Sequence, residues 1–446
     1  MKRTSPVIAA ALITLASVGG AQDAPRVVSL TPANGNQEVD AAEVTEIVVV
    51  FDRAMSHNGY SFTGGGVTFP KIPTGKRPRW KNDKTCVLPV TLVPDHAYSL
   101  GLNSQSFQNF RSRQGVALVP VRWTFSTLPE KLLDPKRQRT RNRRALRELK
   151  RLLPSKYSYY DLRVKDWDAL YAKHEAQVLA ARTDRGWAAA VGRMLAPTQD
   201  LHLYLRHGSN VVGTGSRAVD SLCRPPLLKN YLRDFEQLGP QALAAKSSDG
   251  IGYVLIAAWT KSVDLDGVER ALEGMRDQRA IIIDVRNNSG GSEMLARRIA
   301  RHFVKGKRIY AKHRNRVRKG KSGFGPVFDR EIQGVPNARR FNVPVVVLTS
   351  RYVMSSCEAF VLMMKQAKDC TLIGQRTFGS SGNPKPHELP NGVTILIPSW
   401  QVLRLDGTCF EGEGLAPDLE VAATSDDFKR KDPILEAALA HLRKKL

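Results

Sequence analysis

From Gly252 onward, short apolar runs alternate with amphipathic stretches, and this constrains the fold more than any other feature. Gly252-Tyr-Val-Leu-Ile256 reads as a strand, and Leu265, Val268, Leu272 and Met275 then recur on one face of a helix. Ala280-Ile-Ile-Ile-Asp-Val285 is the next strand, followed by a glycine turn and a helix over Glu293 to Phe303. The pattern repeats with a strand over Val343 to Thr349 and an apolar helix opening at Ser355. Thr371 to Gly374 and Val393 to Ile397 read as further strands. Such alternation predicts an α/β domain over residues 209–425, with ligand chemistry where strands feed into helices.

A chain of 446 residues is too long for one core, so two or three domains are expected. Met1-Lys-Arg3 is a charged start, Val7 to Val18 is apolar, and Gly19-Gly-Ala21 offers small residues for cleavage. Residues 1–21 thus read as a signal peptide, and the expectation is a protein exported to the periplasm or beyond. No later segment approaches the roughly 20 apolar residues of a membrane span. Residues 22–128 carry short alternating runs (Val44 to Phe51, Cys86 to Leu92, Tyr98 to Leu102, Val121 to Phe125) between Gly, Pro, Asn and Asp clusters. Val28-Ser-Leu-Thr-Pro-Ala-Asn-Gly35 and Phe51-Asp-Arg-Ala-Met55 resemble the opening strands of bacterial immunoglobulin-like modules, which implies an all-β sandwich. Residues 129–156 read as a basic linker turning helical near Arg143 to Leu149, residues 157–208 as a helical segment, and 426–446 as a C-terminal helix. His174 lies on the helical stripe of Trp167, Leu170, Tyr171 and Val178 and reads as a packed or surface residue rather than a ligand.

The formal charge is +26, much of it in two runs, Pro135 to Arg151 and Lys305 to Lys321. No aromatics interleave the first run, and an exported protein seldom meets nucleic acid. Anionic cell-envelope polymers, or plain solvation, therefore rank ahead of nucleic acid as partners. Five cysteines (Cys86, Cys223, Cys357, Cys370, Cys409) include no C-x-x-C pair, which speaks against a zinc knuckle or a dithiol redox motif. Export permits a disulfide, but Cys357 and Cys370 read as packing residues flanking one helix. Neither G-x-S-x-G nor H-E-x-x-H occurs, which disfavours a lipase elbow and a zinc protease; no metal or cofactor is implied. Oligomeric state is not legible.

A serine at the first turn of an apolar helix, directly after a buried strand, lifts its hydroxyl above a sheet edge. Ser355 is therefore a candidate nucleophile, requiring a base, an oxyanion hole and an orienting acid. The pair Gly290-Gly291 follows another buried strand, where backbone can approach substrate without Cβ interference. Its N–H groups, with that of Ser356 as a further donor, are candidates for the oxyanion hole. A neutral imidazole, which titrates near physiological pH, is the kind of base required. Glu358, in the first turn of the same helix, reads as a residue that orders it.

Several of these segments, in order, resemble the tail-specific or C-terminal-processing serine protease family, which includes the tricorn core protease. Asp284-Val-Arg-Asn-Asn-Ser-Gly-Gly291 is similar to its D-x-R-x-N-x-G-G turn, and Ser355-Ser-Cys-Glu358 to its S-x-x-E segment. Gln375-Arg-Thr-Phe-Gly379 and Glu411-Gly-Glu-Gly-Leu-Ala-Pro-Asp418 resemble its later motifs, and Met194 to His202 the helical region ending in D-x-H. The resemblance implies a crotonase-like α/β catalytic domain and a serine endopeptidase acting on proteins or peptides. The lysine subgroup places its catalytic lysine directly after T-F-G, where this chain has Ser380; the tricorn-like branch uses a histidine of the D-x-H motif, which implies His202 as the candidate base, with His207 and His387 as fallbacks. Glu411 is the matched acid, with Glu413 as its alternate. A PDZ module, common in the family, finds no room between Gly208 and Asp249. Two other expectations remain: a ligand- or peptide-binding protein on the same scaffold, and an adhesin using the N-terminal module.

Overall fold

The computed structural model describes residues 23–446 apart from 209, 217, 218, 220, 221, 321 and 322, so the expected signal peptide lies outside the described residues. The chain divides into two compact units at Asp134/Pro135.

In the first unit, Val27–Thr31, Glu46–Phe51, Thr85–Pro89 and Arg79–Asn82 form one four-stranded sheet in that order. Asn36–Val39, Val121–Thr127, Ala97–Leu102 and Phe62–Thr63 form a second. Alternation decides which side chains point inward: Ile47, Val49 and Phe51 are buried while their neighbours along the strand are less so. They share one core with Leu100, Leu102, Trp123 and Phe125 of the second sheet, so the unit is a β-sandwich.

The second unit is built on a seven-stranded sheet running Arg233–Gln237, Ala242–Lys246, Ile251–Ile256, Ala280–Asp284, Val345–Thr349, Cys370–Gly374 and Leu419–Glu420. The first two strands join antiparallel; from Ile251–Ile256 onward every pairing is parallel. The central strands Ile251–Ile256, Ala280–Asp284 and Val345–Thr349 are covered on both faces, which is why they read as unbroken apolar runs. Ile281, Ile283, Val345 and Val347 face a core that includes Phe360 and Met364 of the helix Ser356–Met364. Ile282, Val346 and Leu348 face the opposite core, closed by Ile434, Leu435 and Leu439 of the helix Pro433–Lys445. Because Ile283 pairs with Val347 in parallel register, the turns after Asp284 and Thr349 leave the sheet side by side.

A separate core joins the helices Pro135–Lys156, Trp167–Ala180 and Asp184–Leu195 to a four-stranded sheet of Asn210–Gly213, Tyr204–His207, Thr394–Pro398 and Pro384–Glu388. The basic stretch expected to be a linker is thus a 22-residue helix of the second unit. Ala145, Leu146, Leu149, Leu152 and Leu153 recur at helical spacing on its buried face, and most of its cations occupy the exposed one. The helical segment after it breaks into the short helix Tyr160–Arg163 and the longer Trp167–Ala180 and Asp184–Leu195, and it ends in the strand Tyr204–His207; the Thr183 side chain accepts the Gly186 N–H and starts the last helix. The second basic run supplies the first strand of a hairpin, Lys307–Arg316 with Phe324–Gln333, and that first strand also pairs with Trp400–Leu403. Its strand period is masked in the sequence, since only Tyr310, Ala311 and Arg316 of the first strand are buried.

Candidate active site

Ser355 is the N-cap of the helix Ser356–Met364, with φ 57° and ψ −129°. Left-handed φ at a non-glycine residue costs about 1–3 kcal/mol and persists only where neighbours enforce it. They do so here through its N–H, which is shared between the Ser380 carbonyl at 2.8 Å and the Glu358 carboxylate at 3.2 Å. Glu358 is fully buried and also accepts from the Thr377 hydroxyl (2.5 Å) and the N–H groups of Gly379 (2.7 Å) and Ser380 (3.1 Å). Burial pushes its pKa up to about 7, and these donors pull it back toward the carboxylate. A carboxylate that receives only donors stays ionised in slightly alkaline solution. Glu358 thus ties the nucleophile helix to the segment after Thr377.

The conformation of Ser355 brings its Oγ within 3.2 Å of His202 Nε2. The other ring nitrogen, Nδ1, lies 3.0 Å from Ser380 Oγ. His202 stands just ahead of the strand Tyr204–His207, and its backbone N–H donates to Asp200 Oδ1 at 2.9 Å. Tyr157 donates to the other oxygen of that buried carboxylate at 2.7 Å. Burial holds the His202 pKa below 6.5, against the pull of Asp200 and with a further push from Arg163. The imidazole is therefore neutral at pH 7 and can accept a proton. His207 and His387 stand on strands of the four-stranded sheet, and the imidazole bonded to Ser355 is that of His202.

The two glycines divide their roles. A Cβ on Gly290 (φ +106°) would lie 2.8 Å from Ser355 Cβ and 2.9 Å from the Met354 carbonyl. On Gly291 (φ +132°) it would lie 2.1 Å from the Trp259 carbonyl oxygen. Neither position admits a side chain. The Gly290 N–H, expected as an oxyanion donor, instead donates to Asn288 Oδ1 at 2.8 Å, so it is spent on shaping the turn. The N–H groups of Gly291 and Ser356 have no partner among the described hydrogen bonds. Both residues line a cavity of 240 Å³ beside Ser355, whose walls include Ala359, Val402 and Phe410.

Glu411 is buried, but it does not touch His202: it receives Arg163 Nη2 and the Ser381 N–H (2.8 Å). Burial and the nearby Asp200 push its pKa up to about 8, with Arg163 pulling the other way. It therefore fixes the segment carrying Ser380 and Ser381 rather than the imidazole itself. Glu413 is exposed and pairs with Arg376 and Arg404, which removes it from the site. Ser380 was noticed in the sequence only as the place of a missing lysine. Its contact with Nδ1 and the Arg163–Glu411 pair depend on partners far away along the chain, whereas the Asn288–Gly290 bond is local.

The remaining residues of the Asp284 motif are scaffold. Arg286 is fully buried, forked against both Asp284 and Asp432, and Asp432 in turn caps the C-terminal helix at Leu435. Among the described residues, no three His, Cys, Asp or Glu side chains are grouped to hold a metal ion.

Residues 250–421 match the profile of Peptidase family S41. The stretch holds Gly290, Gly291, Ser355, Ser380 and Glu411; His202 lies outside it. The chain is 26% identical over 192 residues to carboxy-terminal processing protease CtpA of Bacillus subtilis, covering 42% of this chain and 38% of the relative. It is 22% identical over 173 residues to CtpB of the same organism, covering 38% and 34%. The chain thus spans little more than a third of the length of these curated relatives. The crystal structure of a candidate peptidase from Parabacteroides merdae superposes with a TM-score of 0.60 at 27% identity, covering 68% of this chain and 96% of that one. With a serine at a strand-to-helix turn, and this likeness in sequence and fold, residues 250–421 are a Peptidase family S41 domain.

Proposed function

We propose that the chain is a serine peptidase that cleaves protein or peptide substrates through an acyl-enzyme on Ser355. The observation that carries this reading is the 3.2 Å approach of His202 Nε2 to Ser355 Oγ, beside two uncommitted backbone N–H groups. Nδ1 keeps its proton by donating to Ser380 Oγ, which leaves the Nε2 lone pair facing Ser355. Nε2 takes the Ser355 proton as Oγ bonds to the substrate carbonyl carbon, and the carbonyl oxygen becomes an oxyanion held by the N–H groups of Gly291 and Ser356. When the tetrahedral species collapses, Nε2–H gives its proton to the leaving amine and the C–N bond breaks. Water then repeats the sequence, releasing the acid and restoring the Ser355 hydroxyl. The Asp200 contact to the His202 backbone keeps the ring in register through both halves.

We read the α/β body as crotonase-like, on the strength of its parallel strands alternating with helices, and the N-terminal sandwich as immunoglobulin-like. Export to the periplasm or beyond belongs to the same reading, as do proteins or peptides as substrates. A binding protein on this scaffold would have no use for a neutral imidazole aimed at a serine hydroxyl, which favours the enzyme.

The test is labelling with a fluorophosphonate probe, followed by hydrolysis of a peptide mixture. The wild-type protein should label, Ser355→Ala should not, and His202→Ala should label and turn over at least about a thousand-fold more slowly while folding normally. Labelling that survives Ser355→Ala, or full turnover in His202→Ala, would overturn the assignment.

A further inference from the structure

The cavity beside Ser355 has a charged end that peptide cleavage alone does not call for. Arg330 and Glu293 line it together with the apolar walls. Arg330, on the strand Phe324–Gln333, is only 8% exposed. Its Nε donates to Tyr310 Oη at 3.2 Å, its Nη2 pairs with the Glu293 carboxylate, and the guanidinium lies 4.5 Å from the Trp400 ring centroid. No described hydrogen bond occupies its Nη1. Glu293 is itself shared, since Arg297 Nη2 lies 3.4 Å away on the other oxygen. One carboxylate therefore offsets two guanidiniums, and the cluster keeps net positive charge.

A second cavity of 770 Å³ shares Glu293, Arg330 and Trp400 with the first. Its lining adds Arg297, Arg298, Arg301 and Lys307, against Asp329 and Glu331 as further acids. Cations thus exceed carboxylates along the whole groove, in a chain whose formal charge is +26.

We infer that this site selects acidic peptides, and that Arg330 reads an aspartate or glutamate at the residue whose carbonyl is attacked. The inference rests on the serine-peptidase reading of Ser355. Gly291 and Ser356, the oxyanion donors of that reading, line the same cavity, so a residue whose carbonyl they hold extends its side chain into it. A guanidinium already fixed by Tyr310, Glu293 and Trp400 loses little freedom on binding a carboxylate. A leucine there would strip water from Nη1 and return no acceptor, and a lysine would meet like charge. The cationic groove and the overall charge also favour the encounter with acidic chains.

The test uses quenched fluorescent peptides that differ only at that residue: Glu, Gln, Leu or Lys. Glutamate should exceed leucine by about ten- to a hundred-fold in kcat/KM, the scale of one hydrogen-bonded charge pair. Arg330→Met should erase this preference while Ser355 still labels with fluorophosphonate. Should that variant fail to fold, Glu293→Gln, which removes the competing carboxylate, should widen the preference. A wild-type preference for Leu or Lys, or no discrimination by charge, overturns the proposal and leaves the peptidase reading standing. Anisotropy with glutamate- and leucine-terminated peptides on Ser355→Ala reads the pocket without turnover; equal affinities would also overturn it. Absence of Ser355 labelling in the wild-type protein would sink the peptidase reading instead.

Discussion

Replacing Ser380 with alanine isolates a single contact at the proposed base. The backbone of Ser380 is held independently, its N–H by Glu358 at 3.1 Å and its carbonyl by the Ser355 N–H at 2.8 Å, and both bonds survive the substitution. What disappears is the oxygen 3.0 Å from His202 Nδ1. Ser380 is fully buried, so the ring N–H would be left without an acceptor. A hydrogen bond to a group that becomes charged is worth about 1.5–3 kcal/mol, and because the imidazolium forms only on the way to the tetrahedral species, the loss should fall on kcat. The expected decrease is about 10- to 150-fold. It falls short of the roughly 10⁴-fold seen when a charged triad acid is neutralised, because a hydroxyl is a weaker partner than a carboxylate. Loss of that acceptor also disfavours the imidazolium, so the acid limb of kcat/KM should move to still lower pH. Peptide hydrolysis followed from about pH 5 to 9 reads both effects. Wild-type kcat with an unmoved acid limb would refute the role of Ser380. A loss as deep as that of Ser355→Ala would show that more than one hydrogen bond had been removed.

In the wild-type protein, burial holds His202 below the ordinary imidazole range, so the acid limb of kcat/KM should lie at lower pH than a free imidazole would give. The same depression makes the unfolded chain bind more protons in that window, so stability should fall as pH drops through the folded pKa. His202→Ala should remove that part of the fall, as read from urea midpoints. Gly291→Ala should lose activity and lower the thermal midpoint, because a Cβ 2.1 Å from the Trp259 carbonyl forces backbone to move; unchanged melting would contradict the geometry. Arg286→Ala strands Asp284 and Asp432 in the interior and should destabilise the second unit by about 3–5 kcal/mol in chemical denaturation.

What the sequence made legible was local. The apolar strands Ala280–Asp284 and Val345–Thr349 could be read because burial on both faces removes any need for polar residues. Ser355 and Gly290-Gly291 stood out because a strand-to-helix turn restricts which residues fit. The helix Pro135–Lys156 was legible only near Arg143 to Leu149, because the charge of its first turns reads as linker. The strand Lys307–Arg316 hid behind its own charge, because its burial follows no simple alternation that the sequence could display. Glu411 was misjudged in a different way: the resemblance fixed its importance but not its partner, which is Arg163, 248 residues away. Ser380 could not be assigned as the partner of Nδ1, since that contact spans 178 residues and no local pattern encodes it.

His202 and Ser355 belong to different hydrophobic bodies, one of helices on the four-stranded sheet and the other beneath the seven-stranded sheet. Their seam is held by Tyr159 Oη on Ser381 Oγ and by Arg163 on Glu411. The proposed chemistry is therefore a matter of docking as much as of folding: a slip of about one ångström along that seam would part His202 Nε2 from Ser355 Oγ with every secondary-structure element still intact.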